Sequence, residues 1–286
     1  MTTALTPEQD RIARQWDKKI NPQVLDPQRL QYRPPTPYFH SLHQFYERCF
    51  QRLNAPFESV VEFACGSGDN LVHLALTGRG KQLYGCDFSS GAIEGGQKLA
   101  QAYGVEDKVS LVCAPWENVT ATPSADLVLA LACINYAADP VDLMKAARSV
   151  CRPGGLLLVS DGHVPLYPLS PRLGLLATKR PRSPFLASGD LRYHSSEAVT
   201  QSATSCGFEP VWTCYGVHLA TTALMLASYG WANQTYPQAW RRRLMAMAYR
   251  SARALLVAED FLCSRWRSGA VYATLFRRIT SATGQI

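Results

Sequence analysis

The chain contains no run of eighteen apolar residues. The longest candidate, residues 219–232, is shorter and holds Thr, Ser and Gly, so no transmembrane helix is expected. No secretory leader is expected from residues 1–33, which carry Asp10, Arg11, Arg14, Asp17, Lys18 and Lys19 where an apolar stretch would be needed. There is no CxxC pair. The nine cysteines (49, 65, 86, 113, 133, 151, 206, 214 and 263) are odd in number, and several sit inside apolar runs. That pattern excludes a zinc ribbon and a disulfide framework, and implies reduced, buried thiols in a cytoplasmic protein. Internal repeats and low-complexity tracts are absent. At 47% hydrophobic and 18% charged residues, the composition is that of a globular chain long enough to bury a large core.

The charge is unevenly spread. Residues 58–164 hold 7 Lys/Arg against 12 Asp/Glu, a balance of −5. Residues 1–57 stand at +3 and residues 165–286 at +9. An acidic centre with basic additions fits either a solvated surface or a basic wall for an anionic partner.

Within the acidic centre, short apolar runs alternate with helical patterns. Strands are expected at residues 59–64, 82–87, 109–114, 126–133 and 156–161, with helices at 70–77, 91–103 and 140–150. Continuous apolar strands separated by helices imply a parallel sheet covered on both faces. Ahead of them, Pro7 can open a helix, and residues 38–53 form an amphipathic one with Phe39, Leu42, Phe45, Tyr46, Cys49, Phe50 and Leu53 on one side. Beyond residue 164 the rhythm changes. Residues 165–193 read as a Pro- and Arg-rich loop, 195–206 as a helix, 208–217 as a strand, 219–266 as mostly helical, and 270–278 as a last strand.

The most informative stretch is Glu62-Phe63-Ala64-Cys65-Gly66-Ser67-Gly68, at the end of the first strand. Asp87 closes the second strand nineteen residues after Gly68. Strand, glycine turn, helix, strand and terminal acid make half of a nucleotide-binding crevice, in which the acid can hold a ribose diol. The dinucleotide pattern G-x-G-x-x-G fails, because Leu71 stands at the third glycine position.

Three further pieces follow in order: Asp87-Phe88-Ser89, Ala125-Asp126 opening the fourth strand, and Arg152-Pro153-Gly154-Gly155 as a turn before the fifth. Together with the first motif, the set resembles the class I S-adenosylmethionine-dependent methyltransferases of small-molecule type, over residues 58–217 and 269–279. The resemblance implies an α/β, doubly wound, Rossmann-like seven-stranded sheet. It would be mostly parallel with an antiparallel last strand, an N-terminal helical lid and a helical insertion before the last strand. The corresponding division is a lid at 1–57, a cofactor-binding domain at 58–217 and 269–286, and a cap at 218–268. It also implies S-adenosyl-L-methionine as cofactor, held along Glu62, Ala64, Gly66, Gly68, Asn70, Asp87, Phe88, Pro115, Trp116, Glu117 and Cys133. Asp87 would take the ribose hydroxyls, Gly66 and Gly68 would leave room for the methionine tail and ribose, and Glu62 would hold the amino group or a water. Where relatives carry an acid after the third strand, this chain reads Ala114-Pro115-Trp116-Glu117. Trp116 is then either an adenine platform or core filler.

The acceptor is expected beyond the carboxyl ends of the strands. Candidates there are Asn135 and Tyr136 after the fourth strand, Asp161 and His163 after the fifth, and Tyr38, His40 and His43 on the helix before the first. His163 is the preferred general base, with His40 and Tyr136 as further catalytic candidates. No metal site is expected, because His40 and His43 lack further ligands. Residues 218–268 are rich in aromatics and Met and carry Arg241-Arg242-Arg243. They suggest a closed pocket for a small hydrophobic or aromatic acceptor methylated on oxygen or nitrogen, a homodimer interface, or both. An RNA or protein substrate and a non-catalytic cofactor-binding subunit are the alternatives. Nucleic acid is disfavoured, because Asn135-Tyr136-Ala137-Ala138 stands where a base-flipping motif would be.

Overall fold

The computed structural model describes residues 5–19, 37–119, 124–137, 139–162, 194–216, 258–259, 261–263 and 271–280. The expected loop at 165–193 and the 218–268 insertion, apart from a few residues near 260, lie outside this set. Two helices, α1 (Pro7–Lys19) and α2 (Pro37–Gln51), precede β1 (Phe57–Phe63). Next come α3 (Asp69–Leu76), β2 (Gly80–Asp87), α4 (Ser90–Ala102) and β3 (Val109–Cys113). After a 3₁₀ turn at Trp116–Asn118, β4 spans Ala125–Leu131, and a second 3₁₀ turn covers Ile134–Tyr136. The order closes with α5 (Pro140–Val150), β5 (Cys151–Gly162), α6 (Ser196–Ser205), β6 (Phe208–Gly216) and β7 (Val271–Arg278).

The strands form one seven-stranded sheet in the order β3-β2-β1-β4-β5-β7-β6. The first five are parallel, and β7 runs antiparallel between β5 and β6. Successive side chains alternate between the two faces, so neighbours in β1 enter different cores. Val60 packs with Phe45, Phe50, Leu71, Leu83 and Leu99 on one face. Val61 and Phe63 pack with Leu143, Met144, Val199, Phe208 and Phe276 on the other.

Helix starts follow local capping chemistry. The Ser89 hydroxyl accepts from Ala92 N at 3.1 Å to open α4. The Asp139 carboxylate accepts from Val141 N at 2.9 Å to open α5, with Pro140 in the first turn. Each satisfies an amide that the helix leaves unpaired. The Arg152-Pro153-Gly154-Gly155 turn differs from expectation. It lies inside β5, because Cys151 already pairs with Ala125 before the register resumes at Leu127 with Leu156. The intervening residues bulge out, with Gly154 at φ 75°.

Strand order reverses between β1 and β4, which opens a crevice beyond their carboxyl ends. Close packing of α4 against the glycine turn shapes one wall. A Cβ on Gly96 would lie 2.6 Å from the Ser67 carbonyl oxygen and 2.4 Å from a Leu111 methyl. Gly→Ala inside a helix ordinarily gains about 1 kcal/mol. Here Gly96→Ala is expected instead to destabilise the fold by about 1–3 kcal/mol through overpacking, read as a lower urea midpoint. A higher midpoint would show that the wall yields freely.

Candidate active site

The loop after β1 is built from left-handed backbone. Ala64, Gly66 and Gly68 have φ of 48°, 55° and 69°. Gly68 N donates to Cys65 O at 2.8 Å, closing the turn, and Gly68 itself precedes the first residue of α3. Nothing lies within 4 Å of a Cβ placed on Gly66, so its outer side is open to a ligand.

Asp87 ties this loop to the next. Its Oδ2 accepts from Gly66 N and its Oδ1 from Ser89 N, both at 2.9 Å. A carboxylate oxygen can accept more than one hydrogen bond, so each retains capacity for a further donor. Burial raises the Asp87 pKa, while the Ser89 and Gly66 amides act in the opposite direction. Ala114 N donates to Asp87 O at 2.9 Å, which brings Pro115 alongside. Phe88 is half-buried.

Glu62, on β1, is 2% exposed. Its Oε1 accepts from Asn70 Nδ2 at 2.7 Å. Its Oε2 and the Asn70 Oδ1 are buried without a hydrogen-bond partner. Burial pushes the Glu62 carboxyl up to about 8, with Asp69 and Asp87 adding to the rise and the Asn70 bond opposing it. Buried acceptors without donors are costly, and an ammonium or amide group of a ligand would satisfy both.

Trp116 is buried within the second core cluster, and its Nε1 has no hydrogen-bond partner. Glu117 is exposed at its backbone turn, and partial burial of its carboxyl raises the pKa. Cys133 is buried beyond β4, and the acids whose fields reach its thiol are Asp161, Glu62 and Asp87. Thus β1, β2 and the β4 turn bring together Glu62, Ala64, Gly66, Gly68, Asn70, Asp87 and Cys133.

On the acceptor side, Tyr136 is half-buried on the second 3₁₀ turn. His43 is half-buried on α2 within the fields of Asp69 and His73, and burial lowers its pKa. His163 lies outside the described residues. His40 and Tyr38 fall on the backbone of α2, but their side chains are also outside that set.

Sequence reasoning missed one participant. Asp17 Oδ1, on α1, accepts from Ser89 Oγ at 2.5 Å and from Gly91 N at 3.2 Å. This docks the N-terminal helix on the start of α4, next to the acid that closes β2. A contact 72 residues long has no local sequence signal.

The geometry gathers open glycine backbone, the Asp87 carboxylate and a buried acid with an unpartnered oxygen along one crevice. A family model for a methyltransferase domain matches residues 61–159, so the first five strands of the sheet and the helices between them are similar to such domains. The chain is 33% identical over 95 residues to the tRNA 5-carboxymethoxyuridine methyltransferase of Escherichia coli (strain K12), covering 32% of this chain and 36% of that protein. It is 29% identical over 113 residues to norajmaline N-methyltransferase of Rauvolfia serpentina, covering 39% and 38%. The match therefore spans little more than a third of these curated relatives. Among solved structures, geranyl diphosphate C-methyltransferase from Streptomyces coelicolor A3(2) has a TM-score of 0.61 at 14% identity, covering 97% of this chain and 100% of that one. At that identity the likeness is one of fold.

Among the described residues no group of three or more His, Cys, Asp or Glu is placed to hold a metal ion, and no helix is long and apolar enough to cross a membrane.

The Glu62 pKa has a consequence for stability. A free glutamate ionises near 4.5, whereas Glu62 in the fold holds its proton to about 8. Between these values unfolding releases a proton, so stability falls as pH rises through the window. Asp161 contributes with the same sign but only up to about 7. Urea midpoints should therefore still decline from about pH 7 to about pH 8, and Glu62→Gln should flatten that last part. An unchanged slope in the variant would place the titrating group elsewhere.

Proposed function

We propose that the protein is a methyltransferase that moves the methyl group of S-adenosylmethionine to an oxygen or nitrogen of a small organic acceptor. The observation that carries the cofactor part is the pair of buried, unpartnered acceptors, Glu62 Oε2 and Asn70 Oδ1, beside open Gly66 and the Asp87 carboxylate. The residues fit the group: Asp87 for the ribose diol, Glu62 and Asn70 for the amino end, and the glycine turn for close approach of the backbone. When bound, the cofactor supplies an electrophilic methyl group on a positively charged sulfur. The chain's part is to hold the acceptor in line and to exclude water, which can account for much of the rate of such a transfer.

The small-molecule reading is supported by the acceptor end of the crevice. Among the described residues it carries Tyr46, Asn135, Tyr136 and Asp161, groups suited to a polar organic acceptor. Similarity to an alkaloid N-methyltransferase agrees with it. A transfer-RNA substrate is the second reading. The similarity to a tRNA methyltransferase and the +9 balance of residues 165–286 favour it.

Titration calorimetry with S-adenosylhomocysteine, with NADH as control, tests the cofactor. One-to-one binding of the former alone is expected, and Asp87→Ala should weaken it by about 1–3 kcal/mol, the scale of hydrogen bonds to a charged group. Unchanged affinity in that variant would refute the ribose role. Binding to unmodified tRNA that falls steeply with salt, together with methyl transfer to it, would replace the small-molecule reading by the second.

A further inference from the structure

Asp161 is a buried acid that the cofactor reading leaves without a task. It stands at the carboxyl end of β5 and is 6% exposed. Its Oδ1 accepts from Gly162 N at 2.6 Å and its Oδ2 from Asn135 N at 3.0 Å. These bonds fix the turn after β4, and with the Ile134 amide also acting on the carboxylate its two oxygens still keep acceptor capacity. No Lys, Arg or His among the described residues pairs with it, so its charge has no counter-ion there.

The groups around it come from every neighbouring element. Tyr272 on β7 sits opposite it in the antiparallel register, and Glu197 on α6 and Tyr215 on β6 lie beyond that ring. Cys133 approaches from the β4 end. Tyr46 reaches in from α2 toward Ser160, Asp161 and Cys133. Tyr46 is only 4% exposed, and its hydroxyl has no hydrogen-bond partner of proper geometry among the described residues. Asn135 Oδ1 is buried and unpartnered as well. An acid with spare capacity, a buried unpartnered hydroxyl and a buried unpartnered amide oxygen thus gather beyond β4 and β5, the chemistry a polar ligand group would satisfy. The proposed cofactor groups lie on β1 and β2. Glu62 and Asp161 are separated by two strand spacings, roughly 10 Å, with Asp161 three residues further toward the open edge.

We propose that Asp161 is the proton acceptor of the methyl-transfer site, and that the acceptor is a neutral hydroxyl or amine seated between Asp161 and the Tyr46 hydroxyl. This rests on the methyltransferase reading above and deepens it. The acceptor heteroatom forms its bond to the methyl carbon with a lone pair. The carbon–sulfur pair returns to sulfur, which becomes a neutral thioether. The O–H or N–H pair stays on the heteroatom, and the proton ends on an Asp161 oxygen. One buried cation and one buried anion thus disappear together, so no net charge is left in the crevice. Burial supports this assignment by raising the Asp161 pKa to about 7, against the Gly162, Asn135 and Ile134 amides, where a carboxylate can both take and return a proton near neutrality.

The test needs no known acceptor. In-line transfer to a heteroatom hydrogen-bonded to Asp161 puts the sulfur within about 7 Å of that carboxylate, where a unit positive charge lowers its pKa by more than one unit at an effective dielectric of about 20. S-adenosylmethionine carries that charge on sulfur, and S-adenosylhomocysteine does not. Calorimetry at about pH 7, in two buffers of different ionisation enthalpy, should show S-adenosylmethionine releasing roughly 0.4 more of a proton than S-adenosylhomocysteine. The difference should vanish in Asp161→Asn. Equal release in the unmodified protein, or a difference that survives Asp161→Asn, would overturn the proposal. Failure of both ligands to bind would instead reject the methyltransferase reading itself. If Asp161→Asn does not fold, the unmodified protein decides, because its preference for the sulfonium form should rise from about pH 6 to about pH 8. Tyr46→Phe should keep or raise the melting temperature, since it deletes an unpartnered hydroxyl. A clear fall would mean the hydroxyl is already engaged, which removes the proposal.

Discussion

The crevice depends on the Asp87 carboxylate. One oxygen holds the Gly66 amide and the other the Ser89 amide, so a single side chain sets the distance between the turn after β1 and the turn after β2. Neither turn could hold its shape through the sheet alone, because both lie past the last paired residues. The same carboxylate forms the polar floor on which a diol would rest. Ser89 extends the effect outward: its hydroxyl caps α4 and donates to Asp17, so the first helix of the chain is docked through the same cluster.

Burial then differentiates the acids. Asp126, at the opposite end of the sheet, is exposed enough and paired well enough with Arg152 and the Glu58 and Ser59 amides that its pKa falls. Glu62 and Asp161 are sealed from water with few donors, and theirs rise to about 8 and about 7. Three carboxyls on three neighbouring strands of one sheet thus take different charge states at neutral pH. The difference comes from depth and hydrogen bonding, not from residue type. The low charge of the interior is affordable because the two sealed acids can remain partly protonated until a cation arrives.

Much of the candidate site around Asp87 was legible in the sequence as a set of positions, because its determinants are local. Glu62, Gly66, Gly68 and Asp87 sit at fixed offsets from strand ends, and strand ends show as the limits of apolar runs. The helix boundaries of α3, α4, α5 and α6 came within a residue or two for the same reason, through Ser, Asp and Gly at the caps. The Arg152–Gly155 segment was read as a turn and lies inside β5, since Cys151 finds a backbone partner in Ala125 that no local pattern announces. Asp17 and Tyr46 were illegible as site residues. Their roles arise from contacts across the fold, and on their own helices they read as an exposed charge and a core aromatic. His163, the preferred base from sequence, lies outside the described residues, whereas Asp161, two positions earlier, has a defined environment.

The placement of β7 between β5 and β6 sets an order of events during synthesis. Leu156 pairs with Arg277 and Phe208 with Arg278, so β5 and β6 cannot join the same sheet until a strand made much later arrives. The half that carries Glu62 and Asp87 closes on nearby partners. The half that carries Asp161 keeps an open, apolar edge of Leu157, Leu158 and Val159 for the whole interval. Such an edge is a template for pairing with other chains. The nascent protein therefore has a half around Glu62 and Asp87 that can form early and a half around Asp161 that must be shielded while it waits.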